Sequence, residues 1–203
     1  METIWTPHRF SGEVLALDVA NTVVLRVDPA RTFDRFDDPA EIERFAAAAS
    51  GFRAEEIGGN TLFVSEPGTA KARIVALREA TDALFRDAVT DGTIRSGRLA
   101  PLLERCSGAL AASPVEIAAD RAGLVAGQGR VELEAAVAVS ALSLLQPDMR
   151  RRIRICGNCG WLFLDKSRNG SRLWCDMSVC GNRQKARRHY RRARNDTGKR
   201  TDA

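Results

Sequence analysis

The sequence predicts an α+β protein: a mainly helical N-terminal domain with a few short strands, then a small C-terminal cysteine-rich unit. Three observations predict it. Apolar residues recur at helical intervals through the first 147 positions. Four of the five cysteines crowd the last quarter as Cys156-x2-Cys159 and Cys175-x4-Cys180. Charge divides along the same line. Residues 1–149 hold fifteen basic and twenty-two acidic side chains, whereas residues 150–194 hold fourteen basic ones against Asp165 and Asp176.

Taken in order, residues 13–26 are apolar nearly all round, which predicts a helix buried in a core. Asp38-Pro39-Ala40-Glu41 reads as a helix start, with an Asp cap, proline in the first turn and Glu completing a capping box. Ile42, Phe45, Ala46 and Ala49 continue that helix until Gly51. Ile74, Leu77, Thr81, Leu84, Phe85 and Ala88 predict a long helix that stops near Asp91-Gly92. Leu99, Leu102, Leu103, Cys106 and Leu110 predict another, with Cys106 a small core residue. Leu133, Val137, Ser140, Ala141 and Leu144 predict the last helix of this domain, closed by Pro147. Residues 61–65, 115–119 and 124–125 read as short strands. Pro147-Asp148 marks the expected boundary between a domain of residues 1–147 and a finger of residues 148–203, the latter ending in a short disordered tail. No apolar run reaches membrane length, so no membrane partner is expected.

The cysteine spacing suits four thiolates at the corners of a tetrahedron about 2.3 Å from one Zn2+. Cys156, Cys159, Cys175 and Cys180 would close the coordination sphere and leave no open position, so the ion is structural. Disulfides are the alternative. The first seven residues have neither a basic start nor an apolar run, which predicts a cytoplasmic location where thiols stay reduced. His8 and His189 lack ligand spacing and read as exposed. Around the metal, Arg152-Ile153-Arg154-Ile155 alternates like a strand, and the first cysteine pair forms a knuckle. Residues 161–165 and 172–175 then form a hairpin about Asn169-Gly170, and residues 181–194 form a helix. Knuckle, hairpin and helix in this order make a treble-clef-like finger. Its core of Trp161, Phe163, Leu173, Trp174, Val179, Ala186 and Tyr190 is small. Metal binding is therefore expected to supply on the order of ten kcal/mol of its folding free energy.

The net charge is −7 over residues 1–149 and +12 over 150–194. An acidic body joined to a basic head points to a polyanion, most simply nucleic acid. Arg183, Arg187, Arg191 and Arg194 follow i, i+4, i+8 and i+11, flanked by Lys185, Arg188 and Arg192. Val179, Ala186, Tyr190 and Ala193 fall on the side that can pack, and Arg168 and Arg172 extend the basic surface from the hairpin tip. Like charges four apart repel along an isolated helix, and an anionic partner relieves that repulsion. Double-stranded DNA is the first partner considered. An RNA- or ribosome-associated module is the alternative, with Trp161, Trp174 and Tyr190 stacking on unpaired bases. The body has no Gly-rich phosphate loop, nucleophile elbow or His–carboxylate cluster, so no catalytic residue is assigned and an enzyme is not expected. Asp18, Thr22 and Arg26 follow i, i+4, i+8 in the first helix, with Asn21 beside them. They form either an internal hydrogen-bond network or a pocket for a small effector.

Residues 151–194 resemble the bacterial CGNR zinc-finger family, named for the tetrapeptide that stands here as Cys180-Gly181-Asn182-Arg183. Cys156-Gly157-Asn158-Cys159-Gly160-Trp161-Leu162-Phe163-Leu164-Asp165 and Trp174-Cys175-Asp176-Met177 also match its pattern. Where the family often has two arginines before the Trp-Cys pair, this chain has Arg172-Leu173. Such fingers follow a domain called ABATE, which Leu17-Asp18-Val19-Ala20-Asn21-Thr22 resembles. Its members are described as stress-induced transcription regulators. The resemblance implies a cytoplasmic, nucleoid-associated DNA-binding regulator whose N-terminal domain senses an effector or forms a homodimer.

Overall fold

Helix α1 (Leu15–Ala20) lies at the centre of the protein, with all six residues buried. The computed structural model describes residues 3–117, 119, 123–125 and 129–198, with side chains up to Arg191. The helix has no cap of its own: Val14 precedes it and offers no side-chain oxygen. Its first donors are served from a distance instead. Glu56 Oε2 accepts from Leu15 N at 2.9 Å, and Ser140 Oγ accepts from Ala16 N at 2.9 Å. A carboxylate there also meets the positive end of the helix. The helix is shorter than the apolar run 13–26 predicts. Glu13 sits at φ 70, outside helical space, and β-branched Thr22, Val23 and Val24 turn the chain into strand β1 (Val23–Val24). Strand β1 pairs antiparallel with β2 (Phe33–Asp34).

Helices α2 (Ala40–Phe52), α3 (Pro67–Asp91), α4 (Ser96–Ala112) and α5 (Leu133–Ser143) surround this centre. Asp38 Oδ1 accepts from Ala40 N at 3.0 Å, as a cap should. Glu41 does not close a capping box; it takes Thr3 N at 2.9 Å and Trp5 Nε1 at 3.1 Å, tying the N-terminal segment down. Helix α3 stops at Gly92, which adopts φ 73. Strand β3 (Thr61–Phe63) falls within the predicted 61–65, but its partner β4 (Arg130–Glu132) is parallel and was not foreseen. Of the two other predicted strands, Ile117 and Leu124 make a single bridge, and residue 118 lies outside the described residues. Pro147 opens a short helix α6 (Pro147–Arg150) rather than simply closing α5, because proline suits a first helical turn.

The finger hairpin is formed by β5 (Ile153–Ile155) and β6 (Leu162–Leu164), paired antiparallel with Ile153 opposite Leu164. This corrects the expected pairing of 161–165 with 172–175. Asp165 is wholly buried and accepts from Ser167 N at 2.9 Å and Arg172 N at 2.8 Å, so the chain around Asn169-Gly170 curls into a loop. The two-residue period of β6 divides its side chains. Leu162 and Leu164 join the body's core with Ile153, whereas Trp161 and Phe163 pack on the cysteines. A turn of π-helix, Met177–Gly181, then leads into helix α7 (Asn182–Gly198).

Candidate metal centre and basic helix

The four sulfurs of Cys156, Cys159, Cys175 and Cys180 lie within 4.8 Å of one another, and all four residues are buried. Cys159 Sγ and Cys175 Sγ are 3.7 Å apart, as are Cys175 Sγ and Cys180 Sγ. A tetrahedron with Zn–S bonds of about 2.3 Å has edges of about 3.8 Å, so the cluster fits the ion. Every thiol is free, which excludes disulfides. The four thiols share their protons: hydrogen bonding to Cys156, then to Cys159 and Cys180, pushes the Cys175 thiol up, while hydrogen bonding to Cys159, then to Cys175 and Cys180, brings Cys156 down. Cys156, Cys159, Cys175 and Cys180 form one structural zinc site, in which they would hold Zn2+ as thiolates and close its coordination sphere. Cys106 stands apart in the body core, its thiol pushed up to about 11 by burial.

Local structure aims the ligands. Cys156 N donates to Trp161 O at 2.8 Å and Gly160 N to Cys156 O at 2.9 Å, folding the knuckle; Gly160 adopts φ 75, which a side chain would strain. Asp176 caps the second pair: its Oδ1 accepts from Ser178 N at 2.7 Å, and its carbonyl accepts from Cys180 N at 2.9 Å. The body grips the same knuckle. Arg86 donates to Gly160 O at 2.9 Å, Trp161 Nε1 to Val23 O at 3.2 Å, and Leu164 N to Gly12 O at 3.0 Å. A side chain at Gly12 would place Cβ 2.7 Å from Asp18 Oδ1 and 2.8 Å from Asp18 N, so only glycine lets this segment lie so close against α1. His8 is not exposed as expected; it stacks on Trp161 at 5.4 Å and contacts Asp176 Oδ2 at 3.0 Å.

Helix α7 projects from this anchor. Arg183, Lys185, Arg187, Arg188 and Arg191 are all exposed, and among the described residues none has a carboxylate within 4 Å. Ala186 is exposed too, and Tyr190 is 70 % exposed, so of the expected packing side only Val179 is half-buried among the described residues. Leu173, at 66 % exposure, is likewise no core residue. The side chains of Arg192, Ala193 and Arg194, and all of residues 199–203, lie outside the described residues. Arg168 is exposed at the loop tip. Arg172 is engaged within the chain: it stacks on Phe163 at 5.2 Å, donates to Cys175 O and meets Glu13 Oε1 at 3.3 Å. It braces the finger against the body.

The four polar residues near α1 are all engaged in hydrogen bonds or ion pairs. Asp18 Oδ2 accepts from Arg53 Nε at 2.6 Å, and Thr22 Oγ1 donates to Val19 O at 2.8 Å while accepting from Arg78. Arg26, which lies beyond the helix, pairs with Glu79 at 2.6 Å. Asn21 bonds the backbone of Leu162. The helix ends at Ala20, so the expected stripe is broken, yet Thr22 and Arg26 are joined through Arg78 and Glu79, as the internal-network alternative expects, while Asp18 and Asn21 are held separately. Their partners Arg53, Arg78 and Glu79 were not singled out from the sequence. Arg78 and Asp82, buried beside the apolar positions of α3, were the available signal. A separate cleft of about 690 Å³ opens between body and finger, lined by Val14, Glu56, Val139, Leu164, Lys166 and Arg168 among others. No helix of the described residues is long and apolar enough to cross a membrane.

Two family profiles match the chain. The ABATE profile, described as "Putative stress-induced transcription regulator", matches residues 13–147, and the CGNR zinc finger profile matches residues 152–193. No curated protein matches it. The cysteines that cluster in space are those of the CGNR segment, and Asn21 of the ABATE segment holds the strand beside them. With about two thirds of its length matched by the first profile, the chain belongs to the ABATE family and carries a C-terminal CGNR zinc finger.

Proposed function

We propose that the protein is a bacterial, cytoplasmic transcription regulator that binds double-stranded DNA through its zinc-ordered finger. One observation carries this reading. Five exposed cations on α7, from Arg183 to Arg191, lack carboxylate partners among the described residues, and the zinc site fixes the base of their helix. Such a helix repels itself and is relieved by phosphates. The RNA alternative has less support. Trp161 is buried and Trp174 half-buried, which leaves Tyr190 as the one exposed finger aromatic among those expected to stack on bases.

The body's part in this reading is regulatory. The cleft between body and finger is where a small effector would act on the finger's pose, and a homodimer would double the DNA contact. We assign the body no reaction. Fluorescence anisotropy with labelled duplex and with single-stranded RNA at equal salt tests the reading. The zinc-loaded chain should prefer duplex, and Arg187→Ala with Arg191→Ala should weaken binding at least tenfold with zinc content unchanged. Equal binding by that double variant would remove α7 from the interface.

A further inference from the structure

A second group of unpaired cations lies on the body beside the finger. Arg35 is only 5 % exposed, yet no carboxylate pairs with it among the described residues. Its Nη1 donates to Asn21 O at 3.3 Å, and its Nη2 is buried without a hydrogen-bond partner. The nearby carboxylates are engaged elsewhere: Asp34 binds Arg78 at 2.6 Å, and Glu41 binds Arg44 at 2.7 Å. Only rings compensate, with the guanidinium 5.5 Å from Trp161, 5.5 Å from Phe33 and 5.9 Å from Trp5. Arg9 is half-buried in the same place. Its Nε is buried and unpartnered, and none of its side-chain donors has a partner among the described residues.

Arg9 belongs to the turn that meets the finger. The preceding residue, His8, stacks on Trp161 and contacts Asp176, which caps the turn leading to Arg183. The charges feel one another. Burial, then Arg183, lowers the Arg9 pKa; burial, then Arg9, lowers that of Arg35 to about 10. Asp34 and Glu41 act on Arg35 in the other direction, yet none of these three guanidiniums, which run from the body interior to the first turn of α7, forms an ion pair among the described residues. Folded proteins seldom bury cations this way unless a ligand completes the site.

The geometry points to a phosphate site of the DNA backbone shared by Arg9 and Arg183 and backed by Arg35, so that bound duplex contacts the body as well as the finger. This rests on the DNA-binding reading above. A phosphodiester fits because a guanidinium fork binds two of its oxygens and because the neighbouring α7 cations track the same polymer.

The test measures duplex affinity against salt for the zinc-loaded full chain, Arg9→Ala and Arg9→Lys. Arg9→Ala should weaken binding about tenfold, with a log–log salt slope about 0.9 shallower. Arg9→Lys should keep the slope and lose part of the affinity. Because Arg9 lacks an anion in the free protein, its removal should leave Tm unchanged or raised. Parent-like affinity and slope in Arg9→Ala overturn this inference and leave the DNA reading standing. A Tm loss without an affinity loss does the same, by making Arg9 a packing residue. Absence of duplex binding by the parent overturns both. Inorganic phosphate at matched ionic strength is the second arm. If it displaces duplex from the parent more than from Arg9→Ala, both use the Arg9 site as proposed; if it binds the parent through Arg9 yet leaves duplex affinity unchanged, a small anion is the occupant and the duplex assignment falls.

Discussion

Asn21 and Leu162 make two reciprocal hydrogen bonds across the junction of body and finger. Asn21 Nδ2 donates to Leu162 O at 2.8 Å, and Leu162 N donates to Asn21 Oδ1 at 3.0 Å. Both residues are buried. A side-chain amide here does what a neighbouring strand would do for β6, and it does so from the residue that ends α1.

Asn21→Ala should therefore detach the finger's strand from the body. It leaves a buried N–H and a buried C=O unpaired, at about 1–3 kcal/mol each. Urea unfolding should show a loss of about 2–4 kcal/mol. Asn21→Asp keeps an acceptor for Leu162 N but, when ionised, sets a carboxylate oxygen against Leu162 O, so its cost should shrink as pH is lowered and the carboxyl regains a donor. A loss below about 0.5 kcal/mol for Asn21→Ala would mean that water or another group serves Leu162.

Arg78 should be as sensitive. It is buried, binds both oxygens of Asp34 at 2.6 and 2.7 Å, reaches Thr22 Oγ1 at 3.1 Å and touches Glu79 at 2.8 Å. Arg78→Ala strands Asp34 and should cost about 3 kcal/mol, measured by chemical denaturation. Arg78→Lys should recover little, because an ammonium cannot supply the planar fork.

Asp18 should give the protein an unusual pH dependence. Burial pushes its carboxyl up to about 7, although Arg53 acts in the other direction. An unfolded Asp titrates near about 3.9. Between about pH 4 and 7 the native chain therefore holds a proton that the unfolded chain has lost, so this group's contribution falls as pH rises through that window and is constant above it. Burial raises Glu56 in the same sense, whereas Asp34 and Glu79 are held below the carboxylate range by arginines despite burial, and act at lower pH with opposite sign. Denaturation midpoints across pH 4–7 should decline in the parent and decline less in Asp18→Asn. Parallel profiles would show that Asp18 is ionised throughout.

The zinc ligands and most helices were legible because each has a local signature. Cysteine spacing announces tetrahedral coordination, and Asp38 caps α2 where the sequence places it. The parallel pairing of β3 with β4 was not legible, since Thr61 and Arg130 are far apart in the sequence, with α3 and α4 between them. The finger hairpin misled for a different reason. Asn169-Gly170 signals a turn locally, but Asp165 captures the donors that a returning strand would need. Tyr190 and Ala186 suggested a packed face by their spacing, yet α7 leaves the finger before either finds a surface. The polar residues of α1 looked like a stripe because sequence does not reveal that Glu13 takes φ 70 and the helix ends at Ala20.

The central claim is that zinc orders the base of α7 and that the exposed cations then engage duplex DNA. Zinc content and duplex affinity, followed on one preparation as a chelator is titrated in, test it most directly. Both should fall together, with affinity restored on adding Zn2+ and dropping steeply with salt. Duplex binding that persists after all zinc has left, or that ignores salt, would contradict the account.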